Sequence, residues 1–442
     1  MKQYESYKAS GTPWIGDMPS HWEKKRLRFV CEFRNGYTPS KANQDFWTDG
    51  TIPWYRMEDI RDSGRFLNEA KQYVTEEAVK GQGLFEAGSF ILATTATIGE
   101  HAMLIVDSLA NQQFTNLKIR KSLVHSCHKK FFFYYLFLID EFCKSSTRTA
   151  TFPAMNMEDL RNFDVAIPPL VEQKAIAAYL DRKCESIDKA IATQERRIAL
   201  LSELKQSIIT EAVTRGLNPD ALLKDSGIDW IGPIPERWEV MPLKYTANKV
   251  GCCFIDGDWI ESDVITEDGI RYITTGNVGV LEYKEQGVGY ISEETFHELG
   301  CTEVFSGDIL ISRLNEPIGR ACILPDLNSR VITSVDNVIF RPDTELYDKS
   351  YLVYYLNNSR FTEHANLEAR GATMHRMSRT MLGHQHIVVP PITEQRAISD
   401  YLEKKCSRID SAIAKTKREI ELLREFKQSV ITEAVTGKIK VC

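Results

Sequence analysis

Ten residues in the second half of the chain gather Arg370, Thr373, His375, Arg376 and Arg379. The corresponding stretch of the first half carries Lys144, Arg148, Thr149 and Thr151. A guanidinium presents two donors in a fixed fork that matches guanine O6 and N7, and a carboxamide matches adenine N6 and N7. Threonine hydroxyls more often hold phosphate. Gln112-Gln113 and the turn Arg313-Leu314-Asn315 add further side chains of the types that base edges require. The chemistry open to these groups is contact with a nucleic-acid duplex. The competing reading is a set of solvated loop charges.

Residues for covalent chemistry are missing. The sequence has no G-x-x-x-x-G-K-[ST] loop for nucleotide phosphates and no H-E-x-x-H zinc helix. It has no Asn-Pro-Pro-aromatic or Asp-Pro-Pro-aromatic tetrapeptide of the kind amino-methyltransferases use. Pro342-Asp343 with Glu345 and Lys349 is only distantly similar to the metal-binding acids of a nuclease, and the spacing is poor. His384 and His386 are spaced as in a strand and read as surface or interface residues. None of the ten cysteines forms a C-x-x-C pair, and Cys252 and Cys253 are adjacent, so the thiols read as reduced. These patterns imply no catalytic residue, no metal site and no cofactor in this chain.

A net charge of −6 excludes a uniformly basic surface but leaves room for a local basic face. The strongest apolar run, Phe131 to Ile139, is far below the roughly 18 residues needed to span a bilayer and reads as a buried helix. Met1 to Lys8 is polar and unlike a signal peptide. The expectation is a cytoplasmic protein without a membrane partner.

The elements that must position the candidate residues come in two copies. Residues 168–214 and 390–436 align without a gap, with roughly 29 of 47 positions identical. Upstream, Ser10-Gly11-Thr12-Pro13-Trp14-Ile15-Gly16 is echoed by Ser226-Gly227-Ile228-Asp229-Trp230-Ile231-Gly232. Pro19 to Glu23 is echoed by Pro235 to Glu239, including Trp22 and Trp238. The chain is therefore arm, globular region and long helix, written twice. Between arm and helix the copies diverge. Short matches pair Ile98-Gly99 with Ile318-Gly319 and Asn116–Arg120 with Asn337–Arg341. They also pair Arg148–Thr151 with Arg370–Thr373, and place Ala93-Thr94-Thr95 where the second copy has Ile311-Ser312-Arg313.

Apolar residues in the helical blocks recur at three- and four-residue steps: Ile176, Leu180, Ile187, Ile191, Ile198, Leu201 and Ile208, then Ile398, Leu402, Ile409, Ile413, Ile420, Leu423 and Val430. That is a coiled-coil seam. A helix of about 45 residues would reach about 65 Å. The two helices either pack against neighbouring domains separately or pair with each other antiparallel, which would relate the two halves by a pseudo-two-fold axis. Two readers related by a dyad on a duplex usually sit about 34–36 Å apart, so a paired rod would act as a ruler between half-sites.

The motifs Pro-Pro-x-x-Glu-Gln (Pro168 to Gln173 and Pro390 to Gln395), Ile187-Asp188 and Ile409-Asp410 lie in these blocks. So do the endings Lys205 to Ala212 and Lys427 to Ala434. With the Trp-Ile-Gly arms and Gly307 to Arg313, they resemble the specificity (S) subunits of Type I restriction–modification systems over nearly the whole chain. The resemblance implies an α+β chain of two tandem, pseudo-two-fold-related α/β recognition domains separated by two long antiparallel coiled-coil helices. It implies a first recognition domain with its arm at 1–167, a spacer helix at 168–215, a second domain with its arm at 216–389 and a second helix at 390–442. The implied partners are double-stranded DNA, two methyltransferase (M) subunits carrying S-adenosylmethionine, and restriction (R) subunits using ATP and Mg2+. A freestanding duplicated DNA-binding regulator and a coiled-coil protein scaffold are the alternatives. Base-specific DNA binding discriminates against the scaffold, and a stable complex with a methyltransferase against the regulator.

Overall fold

A computed structural model describes residues 3–79, 81, 83–146, 154–287, 289–314, 316–369 and 375–441. The chain forms two compact units, one of residues 1–194 with 418–442 and one of residues 195–417. Two helices dominate the secondary structure, Leu170–Arg215 and Ile392–Val435. Among the described residues no helix is long and apolar enough to cross a membrane.

In the first unit a five-stranded sheet runs in the order Cys31–Asn35, Phe114–Ile119, Phe90–Ala93, His101–Leu104, Phe66–Leu67. Its pairs are antiparallel except the last, which is parallel. Strand Phe90–Ala93 is buried on both faces. Phe90 and Leu92 join Phe131, Phe132 and Tyr135 of helix Lys129–Ser146 in the main core, together with Ile176 and Leu180 of the long helix. Ile91 and Ala93 face Tyr55, Met57 and Ile60 instead. This two-sided burial is why the strand reads as an unbroken apolar run.

The second unit repeats the plan. Its four-stranded sheet is ordered Cys253–Asp256, Asn337–Arg341, Ile309–Ser312, Ala321–Ile323. Ile309, Ile311, Val338 and Phe340 pack with Tyr351, Leu352 and Tyr355, while Leu310 and Ile339 pack with Ile273 and Val331.

The Pro-Pro-x-x-Glu-Gln motif has a physical reason in each unit. Glu172 accepts from the indole N–H of buried Trp22 at 3.0 Å, and Glu394 from that of buried Trp238 at 2.9 Å. Gln173 donates to the Pro168 carbonyl (2.8 Å) and accepts from the His128 N–H (2.7 Å). Gln395 does the same with Pro390 (2.8 Å) and the Asp348 N–H (2.8 Å). The glutamate ties arm to helix; the fully buried glutamine satisfies backbone groups at the helix start.

The two helices run antiparallel inside each unit. In the first unit Lys427 Nζ lies 2.7 Å from both carboxylate oxygens of Asp188. In the second unit Lys205 Nζ lies 2.7 Å from both oxygens of Asp410. In both pairs the residue numbers add to 615, and each pair is the repeat image of the other. Of the seam residues, Ile176, Leu180, Ile187, Ile398, Leu402, Ile409, Ile420 and Val430 are buried, and Ile191, Ile198, Leu201, Ile208, Ile413 and Leu423 are half-buried.

Candidate nucleic-acid interface

One backbone frame is built in both units. In the second, the N–H of Gly257 donates to Asn337 O (2.9 Å) and that of Asp258 to Thr333 O (2.8 Å). In the first, Gly36 donates to Phe114 O (2.8 Å) and Tyr37 to Ala110 O (2.9 Å). A Cβ at Gly257 would lie 2.4 Å from Ser334 O, and one at Gly36 would lie 2.1 Å from Asn111 O. Only glycine lets the loop press this closely on the strand-leading turn. Arg313 N–H then donates to Asp336 O as Thr94 N–H does to Gln113 O, both at 2.9 Å. Met377 N–H donates to Arg313 O (3.0 Å) as Met155 N–H does to Thr94 O (2.8 Å). Ser378 and Asn156 cap the short helices that follow, Arg379–His384 and Met157–Asn162.

This hydrogen bonding corrects two sequence alignments. Arg313 corresponds to Thr94, one residue from the match drawn on Ala93-Thr94-Thr95. Asn337 corresponds to Phe114, so the match of Asn116–Arg120 to Asn337–Arg341 is two residues out of register. A two-residue shift preserves which side chains face the core, and short identities do not resolve it.

The five positions around the frame hold Asp256, Arg313, Asp336, Arg376 and Arg379 in the second unit. The first unit holds Asn35, Thr94, Gln113, Ala154 and Met157 there.

In the second unit the positions form a charged cluster. Arg313, read from sequence as a base contact, lies inside the protein with its side chain 5% exposed. Its Nε is 3.3 Å from Asp256 Oδ1, its Nη2 3.7 Å from Asp336 Oδ1, and it also donates to the carbonyls of Met377 and Val335. A side chain so enclosed does not touch DNA, and that assignment is withdrawn. Burial presses its pKa down while Asp256 pulls it back up, and an arginine remains charged under such a balance. Arg376 pairs with Asp336 Oδ1 at 2.8 Å and Arg379 with Asp256 Oδ2 at 3.3 Å; both are nearly half exposed. Three guanidiniums thus surround two carboxylates. His375 is exposed beside them. Buried Arg320 donates to the carbonyls of Val278, Leu314, Pro317 and Thr275, fixing the adjoining turn.

In the first unit the same place is uncharged. Thr94 Oγ1 meets Thr115 Oγ1 at 3.0 Å, and Thr115 reaches Asn35 Oδ1 at 3.5 Å. Gln113 is half-buried and accepts from the Asn111 amide at 3.4 Å. Gln112 is exposed and bonded to the Thr38 hydroxyl. Lys144 closes helix Lys129–Ser146, paired with Glu141 at 3.2 Å, and its stem lies against Gly99. Arg148, Thr149, Thr151, Asn315, Arg370 and Thr373 lie outside the described residues.

Asp256, Asp336 and Arg320 escaped sequence reasoning. The available signal was an acid at the end of the apolar strand Cys253–Asp256 and another just before Asn337–Arg341, opposite an arginine that follows Ile309–Ser312. Asp343 and Glu345 both pair with Lys249, His384 Nε2 meets Lys244 Nζ at 2.8 Å, and no cluster among the described residues could hold a metal ion.

Residues 19–201 and 235–422 match the model of the Type I restriction modification DNA specificity domain, and the chain belongs to that family. It is a specificity subunit, the component that recognises DNA sequence and performs no catalytic step. The Type I restriction enzyme EcoprrI specificity subunit of Escherichia coli is 43% identical over 152 residues, which span 34% of this chain and 38% of that protein. The Type I restriction enzyme MjaVIII specificity subunit of Methanocaldococcus jannaschii is 25% identical over 441 residues, 96% of this chain and 94% of that one. A solved structure described as the basis of complex assembly and conformational transition of the type I R-M system has the same fold. It superposes with a TM-score of 0.67 at 18% identity, covering 96% of this chain and 99% of its own.

Proposed function

We propose that the chain reads a bipartite, gapped site on double-stranded DNA in the cytoplasm, one half through each unit. The observation that carries this reading is the single backbone frame furnished with different side chains, charged in one unit and neutral in the other. Two readers that share a frame but not a face suit two different half-sites. In this reading Arg376, Arg379 and His375 face DNA in the second unit, with Arg370, Thr373 and Asn315 in the same segments. Gln112, Gln113, Lys144, Arg148, Thr149 and Thr151 serve the first.

The long helices act as the ruler for the unread spacer. Their repeat-matched ion pairs support one fixed register. Two M subunits, supplying S-adenosylmethionine, dock on the chain, and R subunits, supplying ATP and Mg2+, join the complex. Exposed apolar pairs at repeat-related positions support this docking: Leu200 and Leu204 in one unit, Leu422 and Phe426 in the other, each about half exposed. Such residues are costly to leave in water unless a partner covers them. The test is co-purification with an M subunit followed by methylome sequencing. One gapped motif is expected; a contiguous motif, or no stable complex, would overturn the proposal.

A further inference from the structure

We infer that Arg313, although enclosed, sets the base discrimination of the second unit by positioning Arg376 and Arg379 through Asp336 and Asp256. The inference rests on the reading of this cluster as a DNA-facing surface and assigns a role to a residue that does not reach that surface.

The same frame closes in the first unit without an arginine, although here Arg313 also donates to the Met377 and Val335 carbonyls. The first unit closes the same turn with Thr94, whose hydroxyl meets Thr115. In the second unit the adjoining turn is already held by the guanidinium of Arg320, which reaches four backbone carbonyls. An enclosed charge is costly unless paired, so a charge at this position serves whatever it pairs with. Its charged partners are two carboxylates whose other ion pairs are with the half-exposed arginines, Asp256 Oδ2 with Arg379 and Asp336 Oδ1 with Arg376.

A planar guanidinium engages two carboxylates from directions fixed by its fork, whereas an ammonium is a rotatable point charge that holds its partners without that directional constraint. With Arg313 present, each aspartate divides its charge between an inner and an outer guanidinium. Arg376 and Arg379 are then oriented yet incompletely neutralised, and keep donors for guanine or phosphate. Without Arg313, each aspartate turns wholly to its outer arginine. That arginine becomes one half of a closed ion pair, its fork engaged by carboxylate in place of a base edge. Arg313 is thus a positioning residue for this unit alone, because the first unit has no charge at the equivalent site.

The experiment selects duplexes from a randomised pool with the full chain assembled with its M subunit. The variants are Arg313→Gln, Arg313→Lys and the triple change Arg313→Thr, Asp256→Asn, Asp336→Gln, which installs the first unit's neutral residues at these three positions and keeps Arg376 and Arg379. Thermal midpoint and M-subunit assembly are followed in parallel. In each variant that assembles, preference at one or more positions of one half-site should fall roughly five-fold or more. The other half-site should be selected as in the wild type. Arg313→Lys should keep the thermal midpoint but not the preference. Assembly with wild-type preference at every position would overturn the inference. So would failure of all three variants to assemble, since Arg313 would then serve the fold. A wild-type chain that selects no gapped site would instead remove the proposed function on which the inference rests.

Discussion

Gln113 and Asp336 stand at the same point of one fold written twice: each carbonyl accepts a 2.9 Å hydrogen bond, from the N–H of Thr94 and of Arg313 respectively. Their backbones are interchangeable and their side chains are not. Around Asp336 the unit places three arginines and a second aspartate; around Gln113 it places Asn35, Thr94, Ala154 and Met157. Duplication preserved what the hydrogen bonds of the sheet and the two close-pressed glycines enforce. The side chains that project from that frame differ: Arg313 reaches the carbonyls of Met377 and Val335 where Thr94 meets the Thr115 hydroxyl.

Arg376→Ala and Arg379→Ala should separate two kinds of contact. Loss of a phosphate contact weakens binding to all sequences and lowers the salt slope by about one unit. Loss of a bidentate base contact costs about 1–3 kcal/mol and relaxes one position. Competition binding over single-base variants of the site at two salt concentrations should show at least one mutant of each kind among these arginines and Arg370. Wild-type affinity and salt slope in all three mutants, with M-subunit assembly intact, would make the cluster a solvated surface.

The helical blocks were legible because periodicity and repetition are local properties of a sequence. Glu172 and Glu394 were legible as members of the Pro-Pro-x-x-Glu-Gln motif, but their bonds to Trp22 and Trp238 span some 150 residues and no spacing rule exposes them. Arg313 was legible as an arginine in a turn. Its enclosure was not, because it depends on Asp256 and Asp336, brought together by strands that are neighbours only in the sheet. The strand register failed for a related reason: alternating apolar residues look the same after a two-residue slip.

Glu394→Ala should destabilise the second unit by about 1–3 kcal/mol, the usual cost of orphaning a buried donor. Here the donor is the indole N–H of Trp238, 1% exposed. Denaturant unfolding checks the value. Adding Trp238→Phe to Glu394→Ala removes the orphan along with its partner, so the double mutant should lose less than the two single losses combined. Strict additivity would mean that the 2.9 Å bond contributes nothing.

Replacing residues 240–389 with the corresponding domain of another specificity subunit should change one half-site and leave the other intact. The replaced segment contains Asp256, Arg313, Asp336, Arg376 and Arg379, and leaves Trp238, Glu394 and both long helices in place. Methylome sequencing of a strain carrying the hybrid reads the outcome directly. Changes in both half-sites would show that the two units do not read independently.

The ruler is tested by lengthening it without breaking its register. A four-residue insertion after Leu201 alone would leave the two helices unequal between their ion pairs. Matching insertions after Leu201 and Leu423 lie between Asp188 and Lys205 on one helix and between Asp410 and Lys427 on the other. Both ion pairs, Lys427 with Asp188 and Lys205 with Asp410, can then re-form. Four residues add about 6 Å and turn the helix by one revolution plus about 40°, so the seam stays nearly in phase. At 3.4 Å per base pair, the unread spacer should grow by about one or two base pairs while both half-sites stay the same. Methylation motifs from cells carrying the elongated chain supply the measurement. An unchanged spacer, or an unchanged spacer with altered half-sites, would show that something other than the helices sets the distance between the two readers.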